Sequence, residues 1–271
     1  VRIAQALAHA RALGVARLDA QLLLAHLLQR DRAWLLAHDD AALEPALQAD
    51  YTRRLERRAG GEPLAYVTGH ARFCGLDLAV NPAVLIPRPE TELLVEWALE
   101  RLADAPSRDV VDLGTGSGAI ALAIRHRAPT ASVTATDASP AALAVACANA
   151  ERLGLALECA HGDWWQALRG RRFGLAVSNP PYVAGADPHL DALGHEPRAA
   201  LTPEGDGLAA LAAIVDGAPA HLLPGAWLLL EHGHDQGDAV RVRLAQAGFV
   251  APTTRADLAG LPRCTGARWP G

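Results

Sequence analysis

Apolar residues recur at helical spacing through the first part of the chain. Leu18, Leu22, Leu23 and Leu27 form one series, and Leu43, Leu47, Tyr51 and Leu55 form another. Gly60-Gly61-Glu62-Pro63 stops the run. The pattern predicts a small helical bundle ending near residue 60, within a domain over 1–70. From Arg72 to Val80 apolar and polar positions partly alternate, and Asn81-Pro82 closes the stretch. That is a β-hairpin signal, assigned to a linker over 71–85. A helix is then expected with Leu93, Leu94, Trp97, Ala98 and Leu102 as apolar positions. Glu90 and Glu92 fall in its first turn, where negative charge complements the helix dipole.

Beyond Val110 short apolar runs alternate with helical patterns. Strands are predicted over 110–113, 132–136, 155–159, 174–178 and 226–231, and helices near 118–127, 140–152, 207–222 and 236–247. Strand alternating with helix implies right-handed crossovers and a mostly parallel sheet covered on both faces, an α/β domain over 86–271. Ligands in such sheets bind at the carboxyl ends of strands, near the switch in strand order. The residues that end these strands are therefore the candidates for chemistry.

Composition narrows the classes. The chain has 271 residues, 51% of them hydrophobic, which is ample for a core and compatible with a small domain plus a catalytic one. All 25 basic residues are arginine, and methionine is absent. Charge divides unevenly: residues 1–75 hold 10 Arg against 8 acids (+2), and residues 76–271 hold 15 against 22 (−7), summing to −5. A protein that grips duplex nucleic acid by its phosphates shows a clearer basic surplus, so no direct nucleic-acid partner is expected. Cys74, Cys147, Cys159 and Cys264 lack C-x-x-C spacing, so neither a disulfide framework nor a zinc site is expected. His232 and His234 lack a third ligand pattern, and the metal expectation is none. No stretch is long and apolar enough to span a bilayer, and no signal-peptide pattern opens the chain. The expectation is a soluble, cytoplasmic protein without a membrane partner, and a monomer.

Two motifs carry chemistry. Asp112-Leu113-Gly114-Thr115-Gly116-Ser117-Gly118 follows the first strand of the α/β domain and opens a helix. Its glycines let backbone approach a ligand closely, but the spacing is G-x-G-x-G rather than the G-x-G-x-x-G of dinucleotide sites. Asp137 ends the next strand, where an acid can accept from ribose hydroxyls; the bland alternative is a turn aspartate beside the N-cap Ser139-Pro140. Asp163-Trp164 follows the third strand and could bracket an adenine; alternatively Asp163 caps a short helix and Trp164 is core. The second motif, Asn179-Pro180-Pro181-Tyr182, ends the strand Phe173-Gly174-Leu175-Ala176-Val177-Ser178. An amide nitrogen is a poor nucleophile because its lone pair is delocalised, and two acceptors gripping its N–H bonds would orient it. The Asn179 side-chain carbonyl and the Pro180 main-chain carbonyl can supply them, with Tyr182 as an aromatic wall. The pair of motifs suggests methyl transfer to nitrogen.

With these residues in place, the chain resembles the peptide-chain-release-factor glutamine N5-methyltransferase family (PrmC/HemK) over nearly its whole length. The resemblance rests on Val84-Leu85-Ile86-Pro87-Arg88-Pro89-Glu90-Thr91-Glu92, Asp112 to Gly118, Asp163-Trp164 and Ser178 to Val183. Glu196-Pro197-Arg198-Ala199-Ala200-Leu201, Gly205-Asp206-Gly207-Leu208 and Leu229-Leu230-Glu231-His232-Gly233 add to it. Asn-Pro-Pro-Tyr is shared with adenine-N6 and guanine-N2 methyltransferases, so it indicates chemistry rather than substrate; the Pro-Arg-Pro-Glu-Thr-Glu stretch discriminates.

The resemblance implies a Rossmann-like class I S-adenosylmethionine-dependent methyltransferase domain, joined by the hairpin to a helical domain that docks the substrate. It implies methylation of the glutamine side-chain amide in the Gly-Gly-Gln loop of class I release factors, in support of translation termination. Gly114, Thr115, Gly116, Ser117, Gly118, Asp137, Asp163, Trp164 and Asn179 would then meet S-adenosylmethionine, leaving S-adenosylhomocysteine. Asn179, Pro180, Pro181 and Tyr182 would hold the glutamine, Asn179 and Pro180 as the catalytic pair. Alternatives are transfer to a ribosomal-protein glutamine or to a nucleic-acid base amine. Glu196 and Arg198 are expected to brace the active-site loop, with direct substrate contact as the alternative.

Overall fold

The computed structural model describes residues 1–271, which divide into two compact units, Val1–His70 and Ala71–Gly271. The first unit is helical: α1 (Ile3–Ala12), α2 (Arg17–Leu28), α3 (Arg32–Ala37), α4 (Pro45–Ala59) and α5 (Leu64–Thr68). Its core gathers Ile3, Leu23, Leu24, Leu35, Tyr51 and Leu55, and the Tyr51 hydroxyl donates to the Ala20 carbonyl (3.0 Å). Each such side chain stabilises the bundle by roughly 1.5–3 kcal/mol. The apolar stripe of α2 differs from the expected one: Leu18 and Leu22 are 49% and 36% exposed, while Ala20, Leu23 and Leu24 are buried. This helix is apolar on nearly every side, Arg17-Leu18-Asp19-Ala20-Gln21-Leu22-Leu23-Leu24-Ala25-His26-Leu27-Leu28, so periodicity alone does not select its inward face.

At the boundary between the units stands the hairpin β1 (His70–Phe73) and β2 (Leu76–Ala79). Cys74 and Gly75 between them have φ of 47° and 79°, the left-handed pair that a tight hairpin turn requires. A 3-10 turn over Pro89–Thr91 leads into α6 (Glu92–Ala103). Then follow β3 (Asp109–Leu113), α7 (Ala119–Arg127), β4 (Ser132–Asp137), α8 (Pro140–Leu153), β5 (Glu158–His161), a 3-10 turn over Trp164–Leu168, and β6 (Phe173–Ser178). The chain continues through α9 (His189–Ala192), α10 (Arg198–Leu201), α11 (Ala209–His221), β7 (Leu222–Glu231), α12 (Gly237–Gln246), β8 (Val250–Ala256) and β9 (Pro262–Arg268).

Seven strands form one sheet in the order β5-β4-β3-β6-β7-β9-β8. The first five are parallel, and β9 and β8 pair antiparallel at one edge. Those last two strands have no counterpart in the sequence reading. Pro252, Thr253, Thr254, Arg255, Pro262, Arg263 and Gly266 break any apolar run, and β9 is buried only because it closes the edge of β7. Apolar clusters cover both faces, one centred on Leu94, Leu122 and Leu175, the other on Leu113, Leu228 and Ile214. Strand order reverses between β3 and β6: β3 leads outward to β4 and β5, and the chain then returns to lay β6 on the other side of β3. The two motif-bearing strand ends are thus neighbours at the switch point, where ligands of such sheets bind. Ser178 Oγ donates to the Leu113 carbonyl (2.6 Å), tying these ends together.

One expectation is corrected here. Cys147 on α8 and Cys159 on β5, 12 residues apart, form a disulfide with their Cα atoms 6.6 Å apart. The spacing held no sign of it because packing of α8 against β5 sets the pairing, not the sequence interval. No helix is long and apolar enough to cross a membrane.

Candidate active site

A cavity of about 460 Å³ opens at the switch point, lined on one side by Gly114, Thr115, Gly116 and Ser117. Asp137, Asp163 and Trp164 join this wall, and Asn179 and Pro181 form the other side. Nine of the sequence-selected residues thus come together; Gly118, Pro180 and Tyr182 lie outside the lining.

The glycine loop is shaped by backbone requirements. Gly114, Gly116 and Gly118 have φ of 73°, 56° and 82°, angles that L side chains rarely adopt. At Gly114 a Cβ would also stand 3.1 Å from the Trp164 ring. Trp164 itself has φ of 44°, and its indole packs against the core while forming part of the cavity wall. The fully core tryptophan is its neighbour Trp165, whose Nε1–H donates to the Ile214 carbonyl (2.9 Å). Asp163 makes no capping hydrogen bond to the turn that follows it and faces the cavity.

Two carboxylates frame the loop. Asp137 accepts from Gly116 N–H (2.9 Å) through one oxygen and from Ser139 N–H (2.8 Å) through the other. Ser139 caps α8 separately, accepting from Ala142 N–H (3.2 Å). Asp112 is fully buried beneath the loop and accepts from the Thr115 hydroxyl (2.6 Å) and Ala121 N–H (3.2 Å). Burial pushes its carboxyl up to about 7, against the pull of those two donors.

The N–H groups of Gly114 and Thr115 are taken by the Thr136 carbonyl, and that of Gly118 by Thr115. Those of Ser117, Ala119 and Ile120 carry no intrachain hydrogen bond, and all three residues line the cavity. They are the orphan donors of the α7 N-terminus, suited to an anionic group. An indole face, carboxylates and free N–H groups around one cavity fit an elongated ligand with an aromatic base, a ribose and a carboxylate.

The acceptor wall is held differently. Asn179 Nδ2 donates to Thr91 Oγ1 (3.2 Å), and neither Asn179 Oδ1 nor the Pro180 carbonyl accepts a hydrogen bond from within the chain. Pro180 is buried. Tyr182 turns into the protein: its hydroxyl donates to Glu231 Oε1 (3.2 Å), its carbonyl accepts from Gln236 Nε2 (3.0 Å), and burial pushes its phenol up. It supports the turn from behind rather than walling the cavity. Glu196 accepts from Ile86 N–H (3.0 Å) and pairs with Arg88, fastening the Ile86–Pro89 segment to the segment that bears Pro197, Ala199 and Ala200 in the cavity wall. Arg198 instead pairs with Glu204 at the surface (2.8 Å). His232 is buried against the Thr265 hydroxyl (2.7 Å), and burial lowers its pKa.

Sequence reasoning gave no role to Thr91 or Glu231. Glu231 carried a readable sign, an acid ending the apolar run Leu228-Leu229-Leu230, and it is 1% exposed. Thr91 is 3% exposed in a 3-10 turn; the Pro-Arg-Pro-Glu-Thr-Glu stretch marked its segment, but nothing local set this residue apart within it.

Comparison with known proteins agrees with this geometry. A family model described as the PrmC N-terminal domain matches residues 2–69, and one described as the methyltransferase small domain matches residues 90–224. The release factor glutamine methyltransferase of Bordetella pertussis is 53% identical over 256 residues, covering 93% of this chain and 95% of that protein. The release factor glutamine methyltransferase of Xylella fastidiosa (strain Temecula1) is 53% identical over 260 residues, covering 95% and 94%. Among solved structures, the 16S rRNA N2 G1207 methyltransferase of T. thermophilus, in complex with AdoMet and guanosine, superposes with a TM-score of 0.54. At 24% identity over 74% of this chain and 49% of that one, it is a likeness of fold alone. By identity and coverage with its curated relatives, the chain belongs to the release factor glutamine methyltransferase family.

Proposed function

We propose that this enzyme transfers a methyl group from S-adenosylmethionine to the side-chain amide nitrogen of the glutamine in the Gly-Gly-Gln loop of class I release factors. When bound, the cofactor supplies a methyl carbon already activated by its sulfonium, and the sulfur leaves as the thioether of S-adenosylhomocysteine. The amide nitrogen gives up one of its two protons to solvent as the new bond forms, and the chain's main task is positioning. Ser117, Ala119 and Ile120 N–H groups are suited to the carboxylate, Asp137 to the ribose, and Asp163 with Trp164 to the base.

Asn179 Oδ1 and the Pro180 carbonyl are read as the two acceptors that take the N–H bonds of the incoming amide. The nitrogen gains positive character as its bond to carbon forms, so oxygens aimed at its hydrogens stabilise the transition state more than the ground state. The observation that carries this reading is that these two oxygens have no intrachain partner at a strand end beside the glycine loop. The helical unit Val1–His70 is assigned to docking the release factor, on its match to the family's N-terminal domain.

Incubation with labelled S-adenosylmethionine and a purified release factor, with ribosomal protein, rRNA and DNA as parallel substrates, tests the assignment. Label on the release factor, lost when its Gly-Gly-Gln glutamine is replaced, is expected. Label only on nucleic acid would overturn it.

A further inference from the structure

Two acceptor oxygens account for only one end of an amide. A primary carboxamide brings two N–H donors and one carbonyl oxygen into the cavity. Asn179 Oδ1 and the Pro180 carbonyl can take the donors. The carbonyl oxygen also leaves water, at a cost in free energy unless some group donates to it. A donor is therefore required on the acceptor side of the cavity.

Three charged residues line that cavity: Asp137 and Asp163, which only accept when ionised, and one cation, Arg88. Pro87 and Pro89 flank Arg88, whose backbone is extended (φ −98°, ψ 143°), the conformation that a following proline favours. Its carbonyl accepts from Thr91 N–H (3.1 Å), and Thr91 Oγ1 accepts from Asn179 Nδ2 (3.2 Å). A single residue thus ties the stem of Arg88 to the side chain read as an acceptor. The guanidinium is held at its far end by Glu196, whose side chain is 3% exposed. Arg88 Nη2 donates to Glu196 Oε1, and Oε2 takes Ile86 N–H (3.0 Å). Arg88 Nε and Nη1 carry no intrachain hydrogen bond. A permanently charged fork, seated at both ends, therefore keeps donors to spare beside Asn179. The free N–H groups of α7 stand beside the glycine loop and are already assigned to the cofactor's carboxylate.

The geometry points to Arg88 as the residue that donates to the carbonyl oxygen of the substrate's carboxamide, with Glu196 as the positioning residue that aims it. This rests on the glutamine reading proposed above and deepens it: the site recognises an amide by both of its ends. As the bond from nitrogen to the methyl carbon forms, the nitrogen lone pair is withdrawn from the carbonyl, and its oxygen becomes a weaker acceptor. The contact with Arg88 thus serves binding more than the transition state, and its loss should fall on KM.

The test compares two release factors bound in the presence of S-adenosylhomocysteine, one with its Gly-Gly-Gln glutamine and one with methionine in that place. Methionine keeps the length and lacks both ends of the amide. The wild-type enzyme should prefer the glutamine form, and in Arg88→Met that preference should shrink by about tenfold or more. With the glutamine form as substrate, KM should rise by about tenfold or more, with kcat and S-adenosylhomocysteine affinity within about threefold. A mere brace would weaken both release factors alike and leave the preference unchanged, which would overturn the inference. A fall in S-adenosylhomocysteine affinity with the preference kept would overturn it too, since Arg88 would then hold the cofactor's carboxylate. Arg88→Met leaves a buried carboxylate unpaired. Should it fail to fold, Arg88→Met combined with Glu196→Gln removes both charges, and the same loss of preference is expected. Glu196→Gln alone keeps the donors and loosens their aim, so the preference should fall by about threefold; no change would overturn the positioning role. Asn179→Ala keeps this test apart from the reading beneath it. A preference lost in Asn179→Ala and kept in Arg88→Met would remove the Arg88 assignment alone; one kept in Asn179→Ala would remove the acceptor reading itself.

Discussion

At the end of β3 the groups offered to a ligand are mostly backbone: a loop turned through three left-handed glycines and the free N–H groups that open α7. At the end of β6 they are two carbonyl oxygens, one on a side chain held only by Thr91 and one in a proline-rich turn. The first region is braced by carboxylates that already accept from the loop, Asp112 from Thr115 and Ala121, Asp137 from Gly116 and Ser139. The second is braced by side chains: Thr91 accepts from Asn179, and Tyr182 of the same turn donates to the buried Glu231. A site made of backbone tolerates side-chain change except where a Cβ cannot be accommodated. A site made of oriented side chains is lost when one member is replaced.

The sharpest way to break this comparison is at Asn179. Asn179→Ala is expected to lower transfer by about a thousandfold or more. Cofactor affinity should stay within about tenfold, ~1.4 kcal/mol, as read by calorimetry. A large loss of cofactor binding would show that the two regions are not separable. The converse test is Gly114→Ala, which meets both a φ of 73° and the Trp164 ring. Cofactor affinity should weaken by about 1–3 kcal/mol, roughly 5- to 150-fold in Kd, while the release-factor KM changes little.

The buried Glu231 behind this turn also carries a pH signature. Burial pushes the Glu231 carboxyl up to about 7, opposed by Thr91, Tyr182 and Arg263 and reinforced by Glu90; Cys264 on the adjoining β9 faces the same carboxylate. Ionised Glu231 accepts from the Tyr182 hydroxyl behind the turn, and protonation weakens that acceptor, so kcat should fall as pH drops through about 7 and level off at the rate of Glu231→Gln. Glu231→Gln should flatten that acid limb. An unchanged limb in this variant would assign it to another group.

The smallest effect sharpens the first region. The folded pKa of Asp112 is raised, so its contribution to stability is present below the unfolded value of 3.8 and is lost as pH rises toward about 7. Relative to wild type, Asp112→Asn should therefore gain on the order of 2–3 kcal/mol between pH 5 and pH 8 in denaturant titrations. A difference that does not vary with pH would contradict the raised value.

These regions also differ in how far the sequence disclosed them. The glycine loop, Asp137 and Asn179-Pro180-Pro181-Tyr182 were legible because each sits at the end of an apolar run, and strand ends converge in a parallel sheet. The side chains that brace the second region were not, because Thr91 reaches Asn179 across 88 positions and Tyr182 reaches Glu231 across 49. Tyr182 was legible as part of the motif but not in its direction, since an aromatic after two prolines can face a cavity or brace the turn. The antiparallel strands Val250–Ala256 and Pro262–Arg268 escaped notice because their burial depends on a neighbour rather than on their own pattern. The disulfide between Cys147 and Cys159 depended on helix-to-strand packing in the same way.

Site-resolved mass spectrometry of a release factor, after incubation with S-adenosylmethionine and either the wild-type enzyme or Asn179→Ala, tests the central claim most directly. The account predicts one methyl group on the side-chain amide of the Gly-Gly-Gln glutamine with the wild type, and none above background with the variant. Methyl groups elsewhere on the release factor, or equal modification by the two proteins, would contradict it.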